Sequence, residues 1–222
     1  MKLNVHSIFT SIMGERGDKN CHQGDWAVFL RLAGCNLRCT YCDTKGAQEH
    51  SSGEEFPVDQ VAKTLTNLYT KQGPKAILVT GGEPLMQQPS LIPLIKRMSF
   101  IPFIIETNGS ISIEEVKKLY NVSLIVDHKS PSSGENHRMV VSLDDLRLKD
   151  TMKFVIGNEE DYQEAKQYIE EFPIKSSCVM SPVLDPKAEG RGIMHQLYDW
   201  LKRDHLFSVG INVQLHKILQ VD

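Results

Sequence analysis

Short apolar runs alternate with longer stretches of helical spacing along this chain. Residues 26–33, 76–80, 102–107, 123–127, 152–156, 177–181 and 208–214 have the composition of strands. Between them, 58–69, 91–98, 113–120, 159–172 and 192–204 carry apolar residues at helical intervals. In 58–69, Val61, Leu65 and Leu68 recur three and four residues apart, and Asp59 suits a first helical turn. Strand and helix in alternation predict the α/β class, a parallel sheet with crossover helices. An eight-stranded barrel takes about 250 residues, so 222 residues predict a partial, open (β/α) barrel of six to seven mostly parallel strands. Two stretches break the rhythm. Residues 43–56 are irregular, and Ser130-Pro-Ser-Ser-Gly-Glu-Asn-His137 is a polar, turn-rich loop. No repeat or linker divides the chain, so one domain over 1–222 is expected.

Composition narrows the class. A net charge of −3 without a basic run argues against a nucleic-acid footprint, which needs many cations. No stretch approaches the roughly 20 apolar residues of a membrane helix, and Met1-Lys-Leu-Asn-Val-His6 lacks a signal-peptide core. Five cysteines are odd in number and sparse, which speaks against a disulfide framework and for a reducing cytoplasm.

Three of those cysteines form Cys35-Asn-Leu-Arg-Cys39-Thr-Tyr-Cys42. Three thiolates from one loop suit an iron–sulfur cubane with one iron left open, and an open position marks a catalytic rather than a structural site. A closed zinc shell would need a fourth ligand; Cys21 and Cys178 are isolated, and His22 and His50 are the residues that could complete it. A thioredoxin-like pair would use Cys39 and Cys42 and leave Cys35 idle.

In parallel α/β sheets ligands bind beyond the carboxyl ends of the strands. The loops there carry polar groups: Thr80-Gly-Gly-Glu-Pro84, Glu106-Thr-Asn-Gly109 and Asp127-His-Lys129. Each could be a tight or solvated turn. Glu83 could also receive the ammonium of an amino-acid-like ligand, and Asp43-Thr44 offers oxygen ligands that suit Mg2+.

The C-x3-C-x2-C spacing followed by Gly-Gly-Glu resembles the radical S-adenosylmethionine (SAM) superfamily. That resemblance implies a [4Fe-4S] cluster on Cys35, Cys39 and Cys42. Its open iron chelates SAM, and reductive cleavage of SAM yields a radical that abstracts hydrogen from substrate. Within the superfamily the chain is similar to the 7-carboxy-7-deazaguanine synthases over nearly its whole length. The residues that carry this are Phe9-Thr-Ser-Ile-Met-Gly-Glu15, Phe29-Leu-Arg-Leu-Ala-Gly-Cys-Asn36, Cys42-Asp-Thr44, Lys129-Ser-Pro-Ser-Ser133 and Val213-Gln-Leu-His-Lys217, with the two Gly-rich strand ends. Family enzymes convert 6-carboxy-5,6,7,8-tetrahydropterin into 7-carboxy-7-deazaguanine and ammonia, with catalytic SAM and Mg2+.

The resemblance implies site roles residue by residue. Thr44 would ligate Mg2+. Tyr41, Asp43, Gly82, Glu83, Asp127, His128, Lys129 and the Ser181-Pro182-Val183-Leu184 turn would hold SAM. Ile12, Met13, Gly14, Glu15, Arg31, Thr80, His216 and Asp222 would hold the pterin, Arg31 facing its carboxylate with a fixed, always-charged fork. Family enzymes usually have Gln-Gly-Glu where this chain has Met13-Gly14-Glu15, so either the backbone reads the pterin or the pocket differs. A one-electron donor such as flavodoxin and a homodimer are also implied. A glycyl-radical activase shares the length and cysteine spacing but needs a docking face for a protein partner. A zinc-stabilised binding module is the non-catalytic alternative.

Overall fold

A computed structural model describes residues 1–172, 175–184 and 192–221. In chain order the strands and α-helices are β1 (Lys2–Ile12), β2 (Trp26–Leu32), β3 (Glu54–Pro57), α1 (Val58–Gln72), β4 (Ala76–Gly81), α2 (Gln88–Arg97) and β5 (Phe103–Thr107). There follow β6 (Val122–His128), β7 (Thr151–Ile156), α3 (Glu159–Glu171), β8 (Ser177–Pro182), α4 (Gly192–Arg203), β9 (Gly210–Ile211) and α5 (Leu215–Leu219). One sheet runs β3-β1-β2-β4-β5-β6-β7-β8-β9. It is parallel from β2 to β9, whereas β1 is antiparallel to both β2 and β3. The mostly parallel, open α/β sheet is the architecture expected from the alternation.

The seven expected strands are present, and β1 and β3 are additional. A register shift between Val5 and Ser7 breaks the period-two pattern of β1, which hides it from a reading by alternation. Residues 113–120 differ from the expected helix: only Val116–Lys118 form a 3-10 turn, with Ile113, Val116 and Leu119 buried beneath it. The last expected strand shortens to β9, and the chain then turns into α5, which the sequence did not announce.

Alternation along the strands divides the core. Leu30, Leu32, Ile77, Val79, Phe103 and Ile105 face the helices and meet Val61 and Leu65 of α1 and Leu91, Leu94 and Ile95 of α2. Ala27, Phe29, Ala76, Leu78, Ile104 and Ile125 face the other way and pack with Met13 and Cys21. The two-residue period then fixes what comes next on that inner face. Arg31 follows Phe29, Thr80 follows Leu78, Glu106 follows Ile104, and Asp127 follows Ile125. An apolar layer is therefore topped, at the carboxyl ends of the strands, by a polar one. No helix among the described residues is long and apolar enough to cross a membrane.

Candidate active site

Register assembles that polar layer. Arg31 pairs with Thr80 across β2 and β4, and Asp127 pairs with Lys153 across β6 and β7. Thr80 Oγ1 donates to Glu106 Oε2 at 2.8 Å. Lys153 Nζ lies 2.9 Å from Asp127 Oδ1 and 2.5 Å from Glu15 Oε2, and Lys129 Nζ lies 3.1 Å from Asp127 Oδ2. Burial alone would lower Lys153 and Lys129, but the surrounding carboxylates raise both well above the ordinary lysine range, so they stay charged. Asp127 is held low, its burial outweighed by the two ammoniums. Glu106 is pushed up to about 7, chiefly by burial, with Glu15 and Asp127 adding to the rise and Lys153 opposing it.

The cysteine loop leaves β2 through Gly34, whose φ of 97° is a left-handed conformation that glycine accepts freely. The Gly81-Gly82-Glu83 turn packs directly on it. Gly82 N donates to Leu32 O at 3.0 Å and Glu83 N to Gly34 O at 2.8 Å. A Cβ on Gly82 would lie 2.1 Å from Gly34 O, so the two backbones meet as closely as they can. Arg38 closes the loop from outside, donating to the carbonyls of Cys35 and Leu37.

Cys35, Cys39 and Cys42 all line one cavity. Among the described residues no three His, Cys, Asp or Glu side chains converge on a point as the ligands of a single ion would. A cubane takes one thiolate at each of separate iron corners, so three thiols spread around a cavity fit it. Leu37 N and Asn108 Nδ2 approach Cys35 Sγ at 3.4 and 3.9 Å, and such donors stabilise a metal-bound thiolate. Burial pushes Cys35 and Cys39 up, so their protons must leave when metal binds.

A second cavity adjoins the first. Asp43, Thr44, Thr80, Glu106, Glu15 and Lys217 line both and form the wall between them. On the cysteine side lie Tyr41, Gly82, Asp127, Lys129, Ser181, Pro182 and Val183. On the other side lie Ile12, Met13, Gly14, Arg31 and His216. The residues expected for SAM and those expected for a pterin thus fall into neighbouring cavities, with Thr44 between them. A third, larger cavity (about 510 Å³) opens beside β1, β3 and α1 and has only His6 and Glu54 as titratable lining groups.

Among the described residues, three expected site residues, Glu83, His128 and Leu184, line neither cavity. His128 follows Asp127 on β6 and therefore points to the helix side, between Phe154 and Tyr168, with Nε2 3.1 Å from Glu164 Oε1. Glu83 is 1% exposed, and its carboxylate accepts from Leu85 N, Thr107 Oγ1 and Asn108 N at 2.9, 2.8 and 2.7 Å. It braces two strand-end loops, with burial pushing it up to about 7 against those donors. Leu184 lines neither cavity, and Asp222 lies outside the described residues. Met13 borders the second cavity, but its side chain is fully buried. Its N–H and C=O are bonded to Asp25 O and Gly24 N, so Gly14 and Glu15 are what that turn presents.

The C-terminal segment completes the second cavity. Leu215 N donates to Gly14 O at 2.7 Å, and a Cβ on Gly14 would lie 2.1 Å from His216 Nδ1. Gln214 Nε2 donates to Glu15 Oε1 at 2.8 Å, Lys217 Nζ to Gln214 Oε1 at 2.6 Å, and Lys217 Nζ lies 2.9 Å from Asp43 Oδ2. Burial would raise Asp43, but Lys217 and Thr44 bring it down to about 2. Burial lowers His216, which favours the neutral ring. The motifs assign no site role to Lys153 or to Asn212, which donates to Glu15 Oε2 at 3.0 Å, nor to Lys217, although it ends the C-terminal motif. A lysine within an otherwise apolar parallel strand was the available signal for Lys153.

Residues 30–186 match the family model described as the Radical SAM superfamily. A relative from Clostridium acetobutylicum, named 7-carboxy-7-deazaguanine synthase, is 35% identical over 99% of this chain and 96% of its own length. Relatives of the same name from Koribacter versatilis and Methanospirillum hungatei are 32% and 34% identical, covering 98% and 82% of this chain and 96% and 73% of their own lengths. The crystal structure of QueE from Escherichia coli superposes with a TM-score of 0.66 at 17% identity, over 96% of this chain and 94% of that one, which supports the fold. The chain therefore belongs to the radical SAM superfamily and, within it, to the 7-carboxy-7-deazaguanine synthase family.

Proposed function

We propose that this enzyme contracts the ring of 6-carboxy-5,6,7,8-tetrahydropterin to 7-carboxy-7-deazaguanine with release of ammonia, a step of 7-deazapurine synthesis. Substrate and products balance without net oxidation, so SAM can be regenerated in each cycle. Cys35, Cys39 and Cys42 would hold the [4Fe-4S] cluster, and Asp43, Gly82, Asp127 and Lys129 would border SAM. Bound together, cluster and SAM supply one-electron hydrogen abstraction. Glu83 and Gly82 hold the loops around them rather than touching the substrate.

Arg31 carries the reading of the substrate. Its guanidinium lies over the Phe9 ring at 5.2 Å, Phe9 stacks on Phe29, and Arg31 Nε is buried without a hydrogen-bond partner. A buried cationic donor without a partner is costly, and a substrate carboxylate supplies one. Thr44, on the wall between the cavities, would place Mg2+ beside that carboxylate. Gly14, Glu15, Thr80 and His216 would frame the pterin. A flavodoxin-type donor and a homodimer complete the proposal. The relatives, which carry the synthase name, do not favour an activase. In an anaerobic assay with reductant, SAM and Mg2+, the carboxylated pterin should yield 7-carboxy-7-deazaguanine by mass spectrometry. Tetrahydropterin without the carboxylate should not react, and equal binding of the two pterins would remove Arg31 from this role.

A further inference from the structure

Lys153 lies outside every sequence motif, yet it touches both halves of the site. Its side chain is 8% exposed, and its ammonium is shared between Asp127 Oδ1 at 2.9 Å and Glu15 Oε2 at 2.5 Å. Asp127 lines the cysteine cavity alone, whereas Glu15 lies on the wall between the two cavities. Beyond Lys153, each carboxylate has further donors. Lys129 holds Asp127 at 3.1 Å, and Asn212 and Gln214 hold Glu15 at 3.0 and 2.8 Å. A carboxylate offers about four lone-pair positions, so each retains room for a ligand donor while staying tied to Lys153. Two ammoniums, Lys129 and Lys153, balance the two carboxylates.

We propose that Lys153 is a positioning residue shared by the two ligand sites, so that a ligand held by Asp127 and a ligand held by Glu15 each tighten the binding of the other. This rests on the reading of the two cavities as SAM and pterin sites. A ligand that immobilises Asp127 immobilises the ammonium between the two carboxylates, and through it Glu15. The second ligand then meets an acceptor that is already ordered and does not bear that cost again. Because coupling is reciprocal, the factor must be the same whichever ligand is bound first.

The test is equilibrium titration of the anaerobic, cluster-loaded enzyme with the cluster left oxidised, so that no turnover occurs. With Mg2+ present throughout, dissociation constants are measured for SAM with and without 6-carboxytetrahydropterin, and for the pterin with and without SAM. In the wild type each ligand should tighten the other by the same factor, about fivefold or more. Lys153→Met should reduce that factor to one while the iron–sulfur absorbance persists. A merely structural lysine would weaken both ligands and leave the factor unchanged, which overturns the proposal. If Lys153→Met does not fold, Lys153→Gln carries the test, since a shorter, neutral amide cannot span the contacts to both Asp127 and Glu15. With its iron–sulfur absorbance intact it should show a coupling factor near one, and retained coupling overturns the proposal. A wild type that binds SAM but not the pterin overturns the substrate reading along with it, whereas one that binds both without coupling overturns only the role of Lys153.

Discussion

Adding one methyl group at Gly14 separates the second cavity from the first. Gly14 does not have a positive φ, so alanine is tolerated by the backbone and its effect is steric. The new Cβ would lie 2.1 Å from His216 Nδ1, 2.7 Å from Cγ and 2.9 Å from Cβ, where ordinary contact begins at 3.4 Å. The imidazole must retreat by roughly an ångström or more, and it sits on α5, whose first N–H is bonded to Gly14 O. Overpacking of this kind costs about 1–3 kcal/mol. Spent against the bound geometry of the second cavity, that is about 5- to 150-fold in affinity. Gly14→Ala should therefore weaken pterin binding by at least about fivefold and leave SAM within about twofold, both read by anaerobic titration of the cluster-loaded enzyme. Because all three close contacts are to the His216 side chain, adding Gly14→Ala to His216→Gly should cost far less than Gly14→Ala alone, a non-additivity typical of groups in contact. Pterin affinity unchanged in Gly14→Ala would refute the packing of α5 on the 12–15 turn as the frame of that cavity.

Other substitutions probe the remaining parts. Gly82→Ala directs its Cβ at the backbone of Gly34, which cannot swing aside as a side chain can; the variant should lose most of its iron on reconstitution, and full iron content with native absorbance would contradict the close approach of the two loops. His128→Leu should leave SAM affinity within about twofold while lowering stability by about 1–3 kcal/mol, because the Glu164 carboxylate loses its partner; a tenfold loss of SAM binding with unchanged melting would return His128 to the cofactor site. Glu106 has its proton held in the folded state from the ordinary 4.5 up to about 7, so its contribution to stability is complete below pH 4.5 and is lost as pH rises towards 7. Water in the two cavities it lines limits this to about 1–2 kcal/mol. Denaturant titrations should show the fall in wild type and a flatter profile in Glu106→Gln, and parallel profiles would assign the dependence elsewhere.

Much of this molecule can be read from its sequence because buried parallel strands leave apolar runs and their carboxyl ends leave polar ones. The runs at 76–80 and 152–156 fall within β4 and β7, and the cysteine and Gly-Gly-Glu loops sit where parallel-sheet logic puts them. Alternation was the finer signal that a motif reading passes over. Asp127-His128-Lys129 looks like one polar unit, but neighbouring residues on a strand face opposite ways, so His128 joins Phe154 and Tyr168 on the helix side. The same rule, extended to β5 and β7, brings Glu106 and Lys153 inward. Glu83 looked like a ligand group because its loop adjoins the site; only the three donors converging on it reveal a brace. The bulge in β1 is set by pairing with Arg31 and Leu32 of β2, and the packing of α5 on Gly14 joins residues 14 and 215; no local pattern encodes either.

The most direct measurement counts product against cofactor. The anaerobically reconstituted enzyme, with reductant, Mg2+, 6-carboxytetrahydropterin and a small stoichiometric amount of SAM, is sampled by mass spectrometry over many turnovers. The account predicts 7-carboxy-7-deazaguanine and ammonia accumulating far beyond the SAM supplied, with little 5′-deoxyadenosine. Cleavage of SAM to 5′-deoxyadenosine without that product would contradict the proposed substrate.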